Sequence, residues 1–210
     1  MLFAAVAAQA QELSVSKQPP SVQYKTFDPR NPPKDMPKLS NSEAAVTHYE
    51  FGLSVRLSYQ PLDAIREGDG FSAGIRVESI ALRTTMGVVV WLPRDCPPAL
   101  RAHEEGHRQL AEMFYKDAEA IARKAARPYV GRIITGHGND PSAARTDATS
   151  KLTNGVIDAY MAQTKTPAER VNRYFDEITS HGASRKVNAV EGKQLALERY
   201  RREMATNGRE

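Results

Sequence analysis

Apolar positions recur along this chain with two different periods. From Thr47 they alternate with polar ones through His48-Tyr49-Glu50-Phe51-Gly52-Leu53 and Val55-Arg56-Leu57, the period of two that a strand requires. Pro61 to Glu67 reads as a short helix stopped by Gly68 and Gly70. Ile75 to Leu82 and Met86 to Leu92 read as two strands on either side of Arg83-Thr84-Thr85, and Val88-Val89-Val90-Trp91 is the strongest β run. The period then lengthens. Leu100, Leu110, Phe114, Ala118, Ile121 and Ala125 mark a long helix, with Asp95 as its cap, Pro97 and Pro98 in its first turn, and Pro128 ending it after Arg127. Gly136-His137-Gly138 falls in a loop, and a second long helix spans about Pro141 to Gln163. A third opens with Thr166 as cap, Pro167 in the first position and Glu169 completing a capping box, and buries Val171, Tyr174, Phe175 and Ile178. A charged last helix, Glu191 to Met204, carries Leu195 and Leu197. Strands followed by helices predict an α+β fold: an N-terminal antiparallel sheet of about three to four strands, packed on the long helix and further C-terminal helices.

The ends of the chain lack this patterning. Residues 1–10 are small and apolar and close with Ala8-Gln9-Ala10, the pattern of a remnant signal peptide. Residues 11–42 hold Pro19, Pro20, Pro29, Pro32, Pro33 and Pro37, which predicts an extended lead-in without regular elements. Residues 43–205 then form one domain. With 40% hydrophobic and 26% charged residues the whole chain has an ordinary globular balance. The net charge of +4 comes without a dense basic patch interleaved with aromatics, so no nucleic-acid module is expected. No run reaches the roughly 20 apolar residues of a membrane span. Cys96 is the single cysteine, which excludes an internal disulfide.

The long helix carries the candidate chemistry. His103-Glu104-Glu105-Gly106-His107 places two imidazoles four residues apart, on one helical face and within reach of one metal ion. Both fall in the apolar stripe between Leu100 and Leu110, while Glu105, Arg108 and Glu112 are left to solvent. Glu104 is next to the first ligand, where a general base is needed. Gly106 costs about 1 kcal/mol relative to Ala in mid-helix, which calls for a close approach by a strand or a substrate. A catalytic zinc takes three protein ligands and keeps one position open. Extrapolated as a regular helix, the third helix turns His181 toward its buried side and Asp176 nearly opposite. His181 is therefore the preferred third ligand, with Glu177 and Asp176 as alternatives. Glu104 favours catalysis over a closed, structural zinc site.

The H-E-x-x-H helix resembles those of the zincin metallopeptidases. The wider pattern resembles a bacterial family of secreted zinc-dependent proteases known as a domain of unknown function. The residues that carry this are Tyr49-x-x-Gly52, the Trp91 strand, Leu100-x-x-His103-Glu104-x-Gly106-His107 and Asp176-x-x-Thr179-x-His181-Gly182, within roughly residues 47 to 182. Phe175 departs from that pattern, in which a tyrosine precedes the aspartate. The resemblance implies a zincin-like fold, metallopeptidase chemistry with one Zn2+ per chain, and a periplasmic or secreted location. The expected activity is hydrolysis of peptide bonds in a peptide or protein substrate, by zinc-activated water with Glu104 as general base. Tyr174, Tyr160 and Arg185 are open candidates for stabilising the oxyanion. The rival expectation is a non-catalytic, envelope-associated module that binds a protein or peptide. Val88 to Trp91 is either an edge strand that adds a peptide beside the metal or an internal strand burying Trp91.

Overall fold

The structure, a computed structural model, describes residues 12–40 and 43–207. The expected signal-peptide remnant, Met1 to Ala10, lies outside the described residues. The strands are β1 (Glu12–Lys17), β2 (Ser21–Phe27), β3 (Val46–Glu67), β4 (Gly70–Pro93) and β5 (Ile133–Gly138). The helices are α1 (Pro98–Tyr115), α2 (Ala118–Ala126), α3 (Pro141–Met161), α4 (Lys165–Thr179) and α5 (Ala189–Asn207). The class is α+β, as the pattern predicts. The sheet is not the expected antiparallel one of three to four strands. Among the described residues it has five strands and is mixed, because β1 and β2 both pair with β4 in parallel.

Those two strands come from the segment in which the prolines argued against any regular element. Pro19 and Pro20 fall between β1 and β2, and Pro29, Pro32, Pro33 and Pro37 follow β2. They bound the strands rather than interrupt them, which is where prolines are tolerated. Pro61 to Glu67 is strand, not helix. Leu62 and Ala64 are half-buried between exposed Pro61, Asp63 and Ile65, which is a period of two that seven residues state too briefly. Met86 to Leu92 continues the strand begun before Arg83 without a break. The long helix stops at Tyr115 and resumes at Ala118. The N–H of Lys116 turns to the carbonyl of Met113, three residues back, which tightens and ends α1. Its cap is Pro97 rather than Asp95. Thr164, not Thr166, occupies the cap position of α4, and no side chain closes a capping box there.

The chain forms two compact units, interleaved in sequence. The first comprises the segment up to Lys17, Leu53–Thr84 and Ala118–Tyr160. Here β1 pairs with Ser79–Thr84 in parallel, and β5 pairs with Phe71–Arg76 antiparallel. His137, expected in a loop, is part of β5. Ile75, Val77, Ile80 and Leu82 are buried with Ala122, Ala144, Ala148 and Leu152. Gly136 allows β5 to lie directly on α3. A Cβ there would overlap the carbonyl oxygen of Ala144 and the amide nitrogen of Ala148.

The second unit comprises Gln18–Gly52, Thr85–Asp117 and the chain from Met161 onward. β2 pairs with Gly87–Pro93 in parallel. Because β4 pairs with both β2 and β3, Val88 to Trp91 is an internal strand, with Trp91 only 4% exposed. Among the described residues β2 and β3 each pair with β4 alone, so each keeps one edge without a strand partner. Leu110 of α1, Val171, Tyr174 and Phe175 of α4, and Ala196 of α5 form one buried cluster. Phe27, Met36 and Trp91 form another, which anchors the proline-rich segment after β2. Lys25 reinforces that anchor, bonding to Asp35 at 3.0 Å and lying 4.4 Å above the Trp91 ring.

Candidate metal centre

The site lies within the second unit and is built by α1, α4 and the first residues of β3. On α1 the buried positions His103, Gly106, His107, Leu110 and Ala111 repeat at intervals of three and four, forming one inward stripe. On α4 the answering stripe is Asn172, Phe175, Asp176 and Thr179, spaced i, i+3, i+4, i+7. Gly106 lets the two helices meet. A Cβ there would stand 2.6 Å from Phe175 Cζ. The close approach that its cost demands is thus made by a neighbouring aromatic ring, not by a strand or a substrate. That ring stacks on His103 with centroids 4.7 Å apart and meets His107 edge-on at 5.0 Å.

Hydrogen bonds fix the tautomer of each histidine. Asn172 Nδ2 donates to the carbonyl of Ala168 (2.8 Å) and to the hydroxyl of Tyr49 (3.2 Å), so Asn172 Oδ1 faces His107 Nδ1 at 2.6 Å as an acceptor. His107 must donate there through Nδ1–H. Thr179 spends its hydroxyl proton on the carbonyl of Phe175, so at 3.2 Å it accepts from His103 Nδ1–H. Each neutral ring is left with a bare Nε2. The two Nε2 atoms lie 3.1 Å apart, and Asp176 Oδ1 is 3.2 Å from the first and 2.9 Å from the second. Among the described residues these three donors are the one group of ligating atoms lying within 4.8 Å of one another. Three acceptors this close together are placed to hold a cation between them, a metal or a shared proton. Two imidazoles and one carboxylate suit zinc and other divalent transition metals.

The electrostatics answer the same demand. Burial works against a charged His107, but the hydrogen bond and charge of Asp176 outweigh it, so His107 holds a proton more readily than a free imidazole. Burial would raise the Asp176 carboxyl, yet a proton taken up on the Nε2 of His103 or His107 is donated to it and holds it well below the usual carboxylate range. Glu104 moves the other way. Its burial raises it above an ordinary glutamate, despite the nearby His107 and a 2.7 Å hydrogen bond from the Thr47 hydroxyl. A cleft of about 430 Å³ opens over these groups and is also lined by Tyr49, Asn172 and His181.

His103, Glu104 and His107 thus come together as the motif predicts. His181 does not join the ligating group, and Asp176, expected to point nearly opposite, does. The helix ends at Thr179, and Ser180 and His181 adopt left-handed backbone at φ 50° and 53°, which defeats an extrapolation of helical angles. His181 Nδ1 is nevertheless buried without a hydrogen-bond partner, 3.5 Å from Asp176 Oδ1. Glu177 pairs with Arg199 at 2.5 Å. Of the oxyanion candidates, the Tyr174 hydroxyl is bound to Glu203, Tyr160 is buried in the first unit, and Arg185 lines a second hollow that His103 also lines. The sequence reading missed Thr47, Asn172 and the part played by Thr179. No protein-family pattern matches the chain, and neither do curated proteins or solved structures.

Proposed function

We propose that this protein is an exported, zinc-dependent peptidase with a zincin-like arrangement, in which His103, His107 and Asp176 hold the metal. The observation that carries the reading is the pair of committed Nδ1 atoms, which leaves two bare Nε2 atoms and one carboxylate oxygen converging beside Glu104. When bound, zinc supplies Lewis-acid polarisation of a carbonyl and brings the pKa of water toward 7.

The chain's own residues supply the remainder. Asn172 and Thr179 orient the imidazoles and keep Nε2 free, the usual service of groups behind metal-bound histidines. Glu104 accepts a proton from the attacking water and returns it to the leaving amine. Thr47 holds that carboxylate in place, and the burial of Glu104 raises its proton affinity toward what the exchange needs. A peptide substrate is favoured by the free edge of β3. Val46, Thr47 and Tyr49 line the cleft, and an extended chain can hydrogen-bond along such an edge. Among the described residues no helix is long and apolar enough to cross a membrane. The exported location rests on the Ala8-Gln9-Ala10 pattern.

The test is metal content together with hydrolysis. Protein reconstituted with zinc and dialysed should hold about one equivalent and cleave members of a broad peptide library. Full zinc without cleavage of any peptide would turn the reading toward a peptide-binding module. Less than a tenth of an equivalent would remove the metal.

A further inference from the structure

A second hollow, of about 760 Å³, lies in the same unit as the metal cleft. Its walls are mainly apolar, built from Phe27, Pro32, Pro33, Met36, Pro37 and Leu39. Exposed Lys34 and Lys38 stand at its margin. Glu43 and Ala44 line both this groove and the metal cleft, so the two hollows adjoin at that pair of residues. The groove is also held in shape. The N–H of Met36 bonds to the carbonyl of Pro33 at 3.2 Å, and Lys25 clamps Asp35. Ser40 N–H bonds to Glu43 Oε2 at 2.8 Å, which ties the end of the proline-rich segment to the shared rim. Walls fixed by prolines and by a buried Phe27–Met36–Trp91 cluster lose little entropy when a ligand enters.

We infer that this groove is the specificity subsite of the enzyme, and that it receives a large apolar side chain of the substrate peptide with an acidic residue next to it. The inference rests on the peptidase reading for the identity of its ligand. A peptide lying along β3 in the cleft reaches Ala44 and, beyond it, the groove. The apolar walls take Leu, Met or Phe; of the charged groups lining the groove, Glu43 is turned to the Ser40 N–H, and the two exposed lysines outnumber it and complement a neighbouring Glu or Asp. Small or basic side chains at that position gain neither contact.

The test uses the full-length, zinc-loaded Glu104→Gln protein, so that binding is read without turnover. Two pools of fluorescein-labelled decapeptides are compared by anisotropy, one with Leu, Met or Phe beside Glu at the centre and one with Ser beside Lys. The first pool should bind at least about tenfold more tightly, the scale of burying one such side chain. Ala44→Trp, at an exposed position between cleft and groove, should reduce that preference to about twofold while zinc content and circular dichroism stay parental. Lys34→Glu with Lys38→Glu, both at exposed positions, should weaken binding of the acidic pool and not that of the other. Equal binding of the two pools, no binding of either, or a full preference retained in both variants overturns the inference. The parent enzyme separates it from the reading beneath it. Selective binding without cleavage of either pool sinks the peptidase and keeps the groove, whereas cleavage of both pools at equal kcat/KM sinks the groove and keeps the peptidase.

Discussion

Gly106→Ala tests the packing that positions the imidazoles. In an exposed helix this substitution stabilises by about 1 kcal/mol, because Ala restricts the unfolded chain and favours the helix. Here the new Cβ would stand 2.6 Å from Phe175 Cζ and 2.8 Å from Cε1. The ring's retreat is restricted. His103 stacks on one side, His107 abuts its edge, and Gly192 leaves only about 3.0 Å for even a hypothetical Cβ against its Cε2. Overpacking of a filled core costs about 1–3 kcal/mol, and a ring blocked on several sides belongs near the top of that range. After the helical gain is subtracted, a net loss of about 1–2 kcal/mol remains, or a fall in Tm of roughly 2–8 °C for a chain of this size. Any movement of Phe175 carries His103 with it, so zinc affinity should drop by about tenfold or more. Thermal unfolding of chelator-treated protein gives the first quantity, and competition with a chromophoric chelator gives the second. Phe175→Leu in the same background makes room for the methyl, so the two changes should be coupled by about 1 kcal/mol in a double-mutant cycle. A Gly106→Ala protein that is more stable than the parent and binds zinc equally would refute the close contact and the helix placement that depends on it.

Glu104→Gln should keep its zinc and its Tm while hydrolysis falls by about 10²-fold or more, the scale of general-base loss. Glu105→Gln, on the side that faces Arg108 and the Tyr24 hydroxyl, should be near parental in the same assay. Asp176→Ala should weaken zinc binding more than His181→Ala does, and the opposite order in a chelator competition would return His181 to the ligand set. Asn172→Leu and Thr179→Val each remove the acceptor behind one imidazole, so each should lower zinc affinity by about 10–100-fold with hydrolysis following occupancy. Parental affinity in both would show that the tautomers are not fixed from behind.

Much of the fold was legible wherever a single period ran long enough. The helix expected over Pro141 to Gln163 runs Pro141–Met161, and Val88 to Trp91 is strand, although the two strands expected there are one. The misreadings share a cause: strong local markers were weighted above short patterns. Prolines after β2 obscured Leu13 and Val15, whose alternation spans only six residues of β1. Pro61 and Gly68 made a strand look like a capped helix, although the strand merely passes through Pro61 on its way to a tight turn. The parallel pairing could not be read at all. Register between strands far apart in sequence is set by tertiary packing, and neither β1 nor β2 carries a turn to a partner.

The site was half legible for a more specific reason. His103, Glu104 and His107 are neighbours on one helix, where spacing alone fixes their relation. Asp176 depends on which side of α4 meets α1, and the apolar residues mislead there. Val171, Tyr174, Phe175 and Ile178 centre on the side that serves α5 as well as α1, so a stripe drawn through them is rotated away from the metal. The side that meets α1 is drawn by Asn172, Phe175, Asp176 and Thr179, three of them polar. A polar residue repeating at i, i+4 and i+7 beside the apolar stripe of an amphipathic helix is the signal that was available. Each such group needs a partner when it is buried, and Asn172 and Thr179 together with Asp176 ask for two imidazoles. Matching the unpaired hydrogen-bond demands of one helix to those of another therefore locates a third ligand better than the centre of its apolar face does.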